Sequence, residues 1–184
     1  MRGEIARRAV LLGGGAALAG CGSDLKLGRP VSFTVVGTRV MLRGEVTRRT
    51  PAQFAAMMGQ NPQITTVVLQ NIQTVRDGVA ALELGYAIRG RGLGTALQSD
   101  SVVHGDAVLL FLAGVERRMV EGSQIGLRGM AQDAARARYV ADMLGTQRFY
   151  RFALRKGVAD GIYILTEEEV ARFGILSEPV RRFE

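Results

Sequence analysis

The order of strand-like and helix-like segments along this chain predicts an α/β domain. Two observations carry that expectation. Short apolar segments at 65–69, 95–97, 118–120 and 162–165 alternate with longer stretches of helical spacing. Between them runs Ala107-Val108-Leu109-Leu110-Phe111-Leu112-Ala113, which has no polar face to offer water and reads as a buried helix over 106–113.

Taken in order, 31–36 and 39–46 are rich in β-branched residues and flank Gly37-Thr38, the pattern of a β-hairpin. Thr50-Pro51 opens a helix, with Thr50 as N-cap, Pro51 at the first helical position, and Phe54, Met57 and Met58 at helical spacing. Asn61-Pro62 ends it. After the strand at 65–69, Val75, Val79, Leu82 and Tyr86 are expected to line the inner face of a helix that runs to Arg89. Gly90, Gly92 and Gly94 lie after a helix and before a strand, the reverse of a dinucleotide-binding arrangement, and read as a loop. Strand 95–97, helix 106–113 and strand 118–120 come next, and Glu121-Gly122-Ser123 turns the chain into Ile125-Gly126-Leu127. Helices are expected over 131–144 and 147–156, either side of Gly145. After the strand at 162–165, Thr166 and Glu169 have the spacing of a capping box at the start of a last helix.

The first 20 residues have the make-up of a secretory signal. Arg2, Arg7 and Arg8 precede an apolar stretch, too short for a membrane-spanning helix, that ends in Leu18-Ala19-Gly20-Cys21. Leu-Ala-Gly-Cys matches the bacterial lipobox, so Cys21 is the expected first residue of the mature chain and the site of lipidation. The expected organisation is a lipoprotein signal peptide over 1–20, a tether over 21–30 and one domain over 31–184. The expected place is the periplasmic face of the cell envelope, anchored to the inner or outer membrane. Arg7-Arg8 fits twin-arginine export as well as the general route. With Cys21 the only cysteine, no intramolecular disulfide can form.

Removing that leader takes three arginines and one glutamate from a chain of formal charge +7, leaving 21 basic and 16 acidic side chains. Such a balance favours anionic neighbours, including phospholipid headgroups. The arginines are scattered without a basic block, so no nucleic-acid partner is expected. One histidine and a lipidated cysteine leave no metal site and suggest no cofactor.

From Thr95 to Arg128 the chain resembles the ClpP/crotonase fold group, in particular small bacterial periplasmic Clp-protease-like proteins. Those carry Cys-Ala-Ser-Ala-Cys-Ala ahead of Leu-Ile-Phe-Leu-Ala-Gly, then Gly-x-His. The likeness extends to Gly44, to Pro62-x-Ile64 with Val67-Val68-Leu69, and to Ile162-Tyr163-Ile164-Leu165-Thr166 with Phe173-Gly174-Ile175-Leu176. It covers residues 31–177 and implies repeated β-β-α units, a mainly parallel sheet and surrounding helices.

The resemblance also implies a mechanism whose parts are missing. In the family a serine at the head of the apolar helix attacks the peptide carbonyl and a histidine accepts its proton. Backbone N–H groups of a Gly-Gly loop and of the residue after the serine hold the oxyanion. Gapless placement puts Gly105 at the nucleophile position and Arg128 at that of the base, while Gln70-Asn71-Ile72-Gln73 replaces the glycine loop. Ile72 and Gln73 take the glycine positions, and Val103 and Ala107 the cysteines. Loss of nucleophile, base and oxyanion loop together implies a pseudo-protease that binds a peptide or protein in the old groove, or another subunit. The alternative is a divergent hydrolase using His104 and Asp106, or a displaced serine such as Ser99 or Ser101. Local sequence offers plainer roles: Gly105 permits a turn, Asp106 sits in the first helical turn, and His104 is expected to be exposed.

Overall fold

Gly37, in the left-handed region at φ 59°, and Thr38 reverse the chain between β1 (Ser32–Val36) and β2 (Arg39–Arg43), which pair antiparallel with Val35 opposite Val40. The computed structural model describes residues 29–72, 74–157 and 160–182, so the expected leader over 1–20, Cys21 and Gln73 lie outside the described residues. Arg29 and Pro30, placed in the tether by sequence, already bond to the domain: Arg29 accepts the N–H of Glu45, and Pro30 bridges to the same residue.

Parallel strands follow, each returned by a helix. α1 (Thr50–Gln60) leads to β3 (Thr66–Gln70), α2 (Gly78–Gly90) to β4 (Gly94–Leu97), and the first sheet closes with β6 (Arg117–Met119) in the order β1-β2-β3-β4-β6. A second sheet takes β5 (Val102–His104), β7 (Gln124–Leu127) and β8 (Tyr163–Ile164). The chain thus gives one strand to each sheet and then a helix, twice: β4, β5, α3 (Ala107–Leu112), then β6, β7, α4 (Ala134–Leu144). α5 (Arg148–Lys156) and α6 (Glu167–Arg172) complete the domain. Every pair in the first sheet beyond β1 and β2 is parallel, as are β5 and β7. This is the ClpP/crotonase-like fold. The buried core is drawn from Val31 to Ile175, so the described domain contains a complete core. Among the described residues no helix is long and apolar enough to cross a membrane.

Local chemistry explains most boundaries. Asn61 ends α1, its side chain donating to the carbonyl of Met57, and α6 carries the full capping box of Thr166 and Glu169. Asp133 caps α4 by accepting the N–H of Arg136, and Gly145 stops it at φ 73°.

Three expectations are corrected. Thr50 is not the N-cap of α1; Arg49 holds that place, and the Thr50 hydroxyl is buried, accepting the N–H of Thr47 at 2.9 Å. β5 was not foreseen, because three residues between two turns carry too little pattern to be seen alone. The inner face of α2 is Ala80, Ala81, Leu84, Gly85 and Ile88 rather than Val79 and Tyr86, which are 67% and 42% exposed. Gly85 explains the choice. A Cβ there would come within 1.9 Å of the Tyr139 hydroxyl, so only glycine lets α4 bring that ring against α2.

Candidate functional site

Parallel pairing of β5 and β7 places His104 beside Gly126, so the residues that follow, Gly105 and Arg128, emerge on one rim. Gly105 turns the chain into α3 at φ 60°, its N–H donating to the Gly126 carbonyl at 3.2 Å. A Cβ built there would have one neighbour, the Arg128 carbonyl oxygen at 3.5 Å. A side chain at 105 therefore has room, and meets resistance only from the left-handed backbone. Positions assigned by resemblance to nucleophile and base thus share one open hollow of about 430 Å³, with Thr74, Val75, His104, Asp106 and Gly129 as its other walls.

Residues 70–72, expected from the resemblance to stand in place of a glycine loop, are tied down from within. Ile72 is fully buried in the core, and Asn71 stands at φ 51°, a left-handed conformation that asparagine tolerates. Its side-chain carbonyl accepts the N–H of Val102 at 3.3 Å, and Gln70 donates to Gln98 at 2.7 Å. Both contacts bind the loop to the β4–β5 region rather than opening it toward a ligand. Ser101 is also buried and accepts the N–H of Gln98, so its hydroxyl holds a turn. Val103 and Ala107, at the positions of the family's cysteines, are both core residues.

His104 is only 7% exposed, which corrects the expectation of a solvent-facing ring. Burial, and secondarily the charge of Arg128, push its pKa below the usual histidine value, so the imidazole is neutral at pH 7. Asp106 does not orient it. Both carboxylate oxygens of Asp106 go to the Arg136 guanidinium, one at 3.0 Å from Nε, and Arg136 also binds Asp133. No hydrogen bond links His104 to a hydroxyl or carboxylate among the described residues. The hollow therefore offers a neutral imidazole and the Arg128 guanidinium, a combination suited to holding a polar or anionic group. Among the described residues that line it, none is a serine or a cysteine. Among the described residues no three His, Cys, Asp or Glu side chains cluster as metal ligands.

The histidine shift has a measurable sign. Because the folded pKa lies below the unfolded value of 6.5, the unfolded chain takes the proton first as pH falls. Stability is thus lost from about pH 6.5 downward until the folded pKa is passed. Thermal melts between pH 7.5 and 5.5 are expected to show a fall in Tm that is smaller in His104→Gln. Asp133 and Glu169, held below the ordinary carboxylate range, act only in more acid solution. An identical fall in the variant would remove His104 as its cause.

The chain has the ClpP/crotonase-like architecture. Among solved structures it is similar to an enoyl-CoA hydratase from Shewanella pealeana ATCC 700345, at 12% identity and TM-score 0.56, over 86% of this chain and 70% of that one. An enoyl-CoA hydratase from Polaromonas sp. JS666 gives 11% and 0.54, over 82% and 70%. An enoyl-CoA hydratase/isomerase from Cupriavidus metallidurans CH34 gives 14% and 0.53, over 84% and 68%. At such identities the likeness establishes the fold and nothing of the chemistry. No family model matches the chain, and no curated protein matches its sequence.

Proposed function

We propose that this protein is a lipid-anchored component of the cell envelope whose ClpP-like serine-protease site is degenerate and serves binding or scaffolding rather than hydrolysis. One observation supports this above the others: glycine stands at position 105 in an open hollow that Arg128 also lines. A guanidinium stays protonated near neutral pH and accepts no proton from a serine. The ligand favoured by such a hollow is a peptide or protein segment presenting a carboxylate or polar group. The lipobox ending in Cys21 motivates the anchor.

The rival reading, a hydrolase built on His104 and Asp106, has both residues in the hollow. It finds less support because Asp106 is committed to Arg136.

A fluorophosphonate probe tests the proposal, because it reports an activated serine without needing the right substrate. Wild type and Gly105→Ser are both expected to remain unlabelled, the variant because it lacks a base and a glycine oxyanion loop. Stoichiometric labelling of wild type, mapped to any serine and abolished by His104→Ala, would sink this reading in favour of the divergent hydrolase.

A further inference from the structure

We infer that the exposed face of α5, joined by Arg172 of α6, is a docking surface for the phosphate headgroups of anionic phospholipids. α5 turns Phe149, Tyr150, Phe152 and Ala153 into the core and leaves Arg148, Arg151, Arg155 and Lys156 exposed. Arg172 completes the group, its guanidinium 4.7 Å from the Phe173 ring centre and 5.3 Å from that of Phe152. Together these five cations rim a shallow hollow of about 560 Å³ whose floor includes the two phenylalanine rings.

The charges of this face are mostly without an acidic partner among the described residues. Arg76 is matched by Glu45, Arg118 by Glu116 and Glu178, Arg136 by Asp106 and Asp133, and Arg182 by Glu167. On the α5 face, among the described residues, one ion pair forms: Glu169 stands 3.9 Å from Arg172. Like charges on successive turns of one helix repel each other. An anionic partner relieves that repulsion. The row from Arg148 to Lys156 extends about 12 Å along the helix axis, longer than a single phosphate and able to meet several headgroups of a lipid surface.

Placement favours a membrane as that partner. α5 ends at Gly157, where a Cβ would lie 3.4 Å from the N–H nitrogen of Gly129, on one wall of the candidate hollow. The same hollow is lined by Val75, which pairs with Val46 beside the point where Arg29 enters the domain. The end of α5 and the incoming chain thus both neighbour this hollow. Eight peptide steps lead from Cys21 to Arg29 and span at most about 28 Å, so a lipid on Cys21 would keep the domain close to a layer of headgroups. This orientation rests on the lipid-anchored reading; the charge of the face does not.

The test uses the chain from Gly22 onward, which keeps the complete core and has no lipid of its own. Co-sedimentation is expected with mixed phosphatidylglycerol–phosphatidylcholine vesicles and not with pure phosphatidylcholine, weakening as salt is raised. Changing Arg148, Arg151 and Arg155 together to Gln should lower partitioning roughly a hundredfold. The same exchange at Arg39, Arg43 and Arg91 should change it little. Equal losses in the two triple variants would overturn the proposal, since net charge and not this face would then govern. Displacement by millimolar inorganic phosphate would overturn it in favour of a soluble phosphate ligand, and equal affinity for a single-stranded oligonucleotide in favour of a general polyanion surface. Failure of the anchor would appear elsewhere, as an unmodified Cys21 in the mass spectrum of the full-length protein, and would leave the vesicle result standing.

Discussion

Phe111→Ala is expected to cost about 3–5 kcal/mol of stability and to lower Tm by roughly 6–20 °C. α3 is six residues long and every one of them is fully buried. Such a helix is stabilised by what surrounds it, since an isolated helix of this length does not persist in water. Its main neighbours are α2 and α4 among the helices and β4, β5 and β7 among the strands. Backbone groups left unpaired by its shortness find side chains: the buried Thr95 hydroxyl donates to the Phe111 carbonyl at 2.6 Å, and Tyr139 to that of Leu109 at 2.8 Å. Removing the ring opens a cavity where two sheets and two helices meet, and the neighbours are themselves too constrained to fill it. Denaturant unfolding measures the loss directly. A variant with unchanged midpoint and slope would show that α3 is not central to the core.

Arg136→Ala is expected to destabilise by about 3 kcal/mol, toward the lower end for breaking a buried ion pair because some solvent reaches the groups. The side chains of Arg136 and Asp106 are only 13% and 16% exposed. Without the guanidinium, Asp106 keeps its charge in a poorly solvated site at the head of α3, and Asp133 loses its partner on α4. The double variant Asp106→Asn, Arg136→Gln should recover part of the loss, because it removes the stranded charge as well as the pair. A double-mutant cycle reads this coupling directly. Additive effects of the two single changes would show that the pair does not join α3 to α4.

What the sequence determined by itself was set locally. Two β-branched runs with a glycine turn between them make the β1–β2 hairpin wherever they are placed. A run with no polar face must be buried, which identified α3 before its surroundings were known. Thr166 and Glu169 satisfy each other's backbone within one turn, so α6 needed no distant partner to declare its start. The proposal that Gly105 and Arg128 stand where a serine and a histidine would act rests on the resemblance, which is read from the sequence alone.

Tertiary structure decided what depends on residues far apart in the chain. Apolar and small side chains nearly encircle α2, so helical period could not say which face turns inward; the approach of Tyr139 to Gly85 chose it. β5 is a strand only because β7 lies beside it, Val103 opposite Ile125. Asp106 looked like a first-turn anion, yet Arg136, thirty residues on, takes both its oxygens. His104 changed from an exposed ring to a buried neutral one for the same reason, and Arg172 joined the cations of α5 only through the packing of Phe152 against Phe173. Dihedral preference, turn chemistry and hydrophobic burial act over a few residues and can be read along a chain. Charge pairing, desolvation and the choice between two apolar faces depend on which distant segments meet, and only the folded structure specifies that.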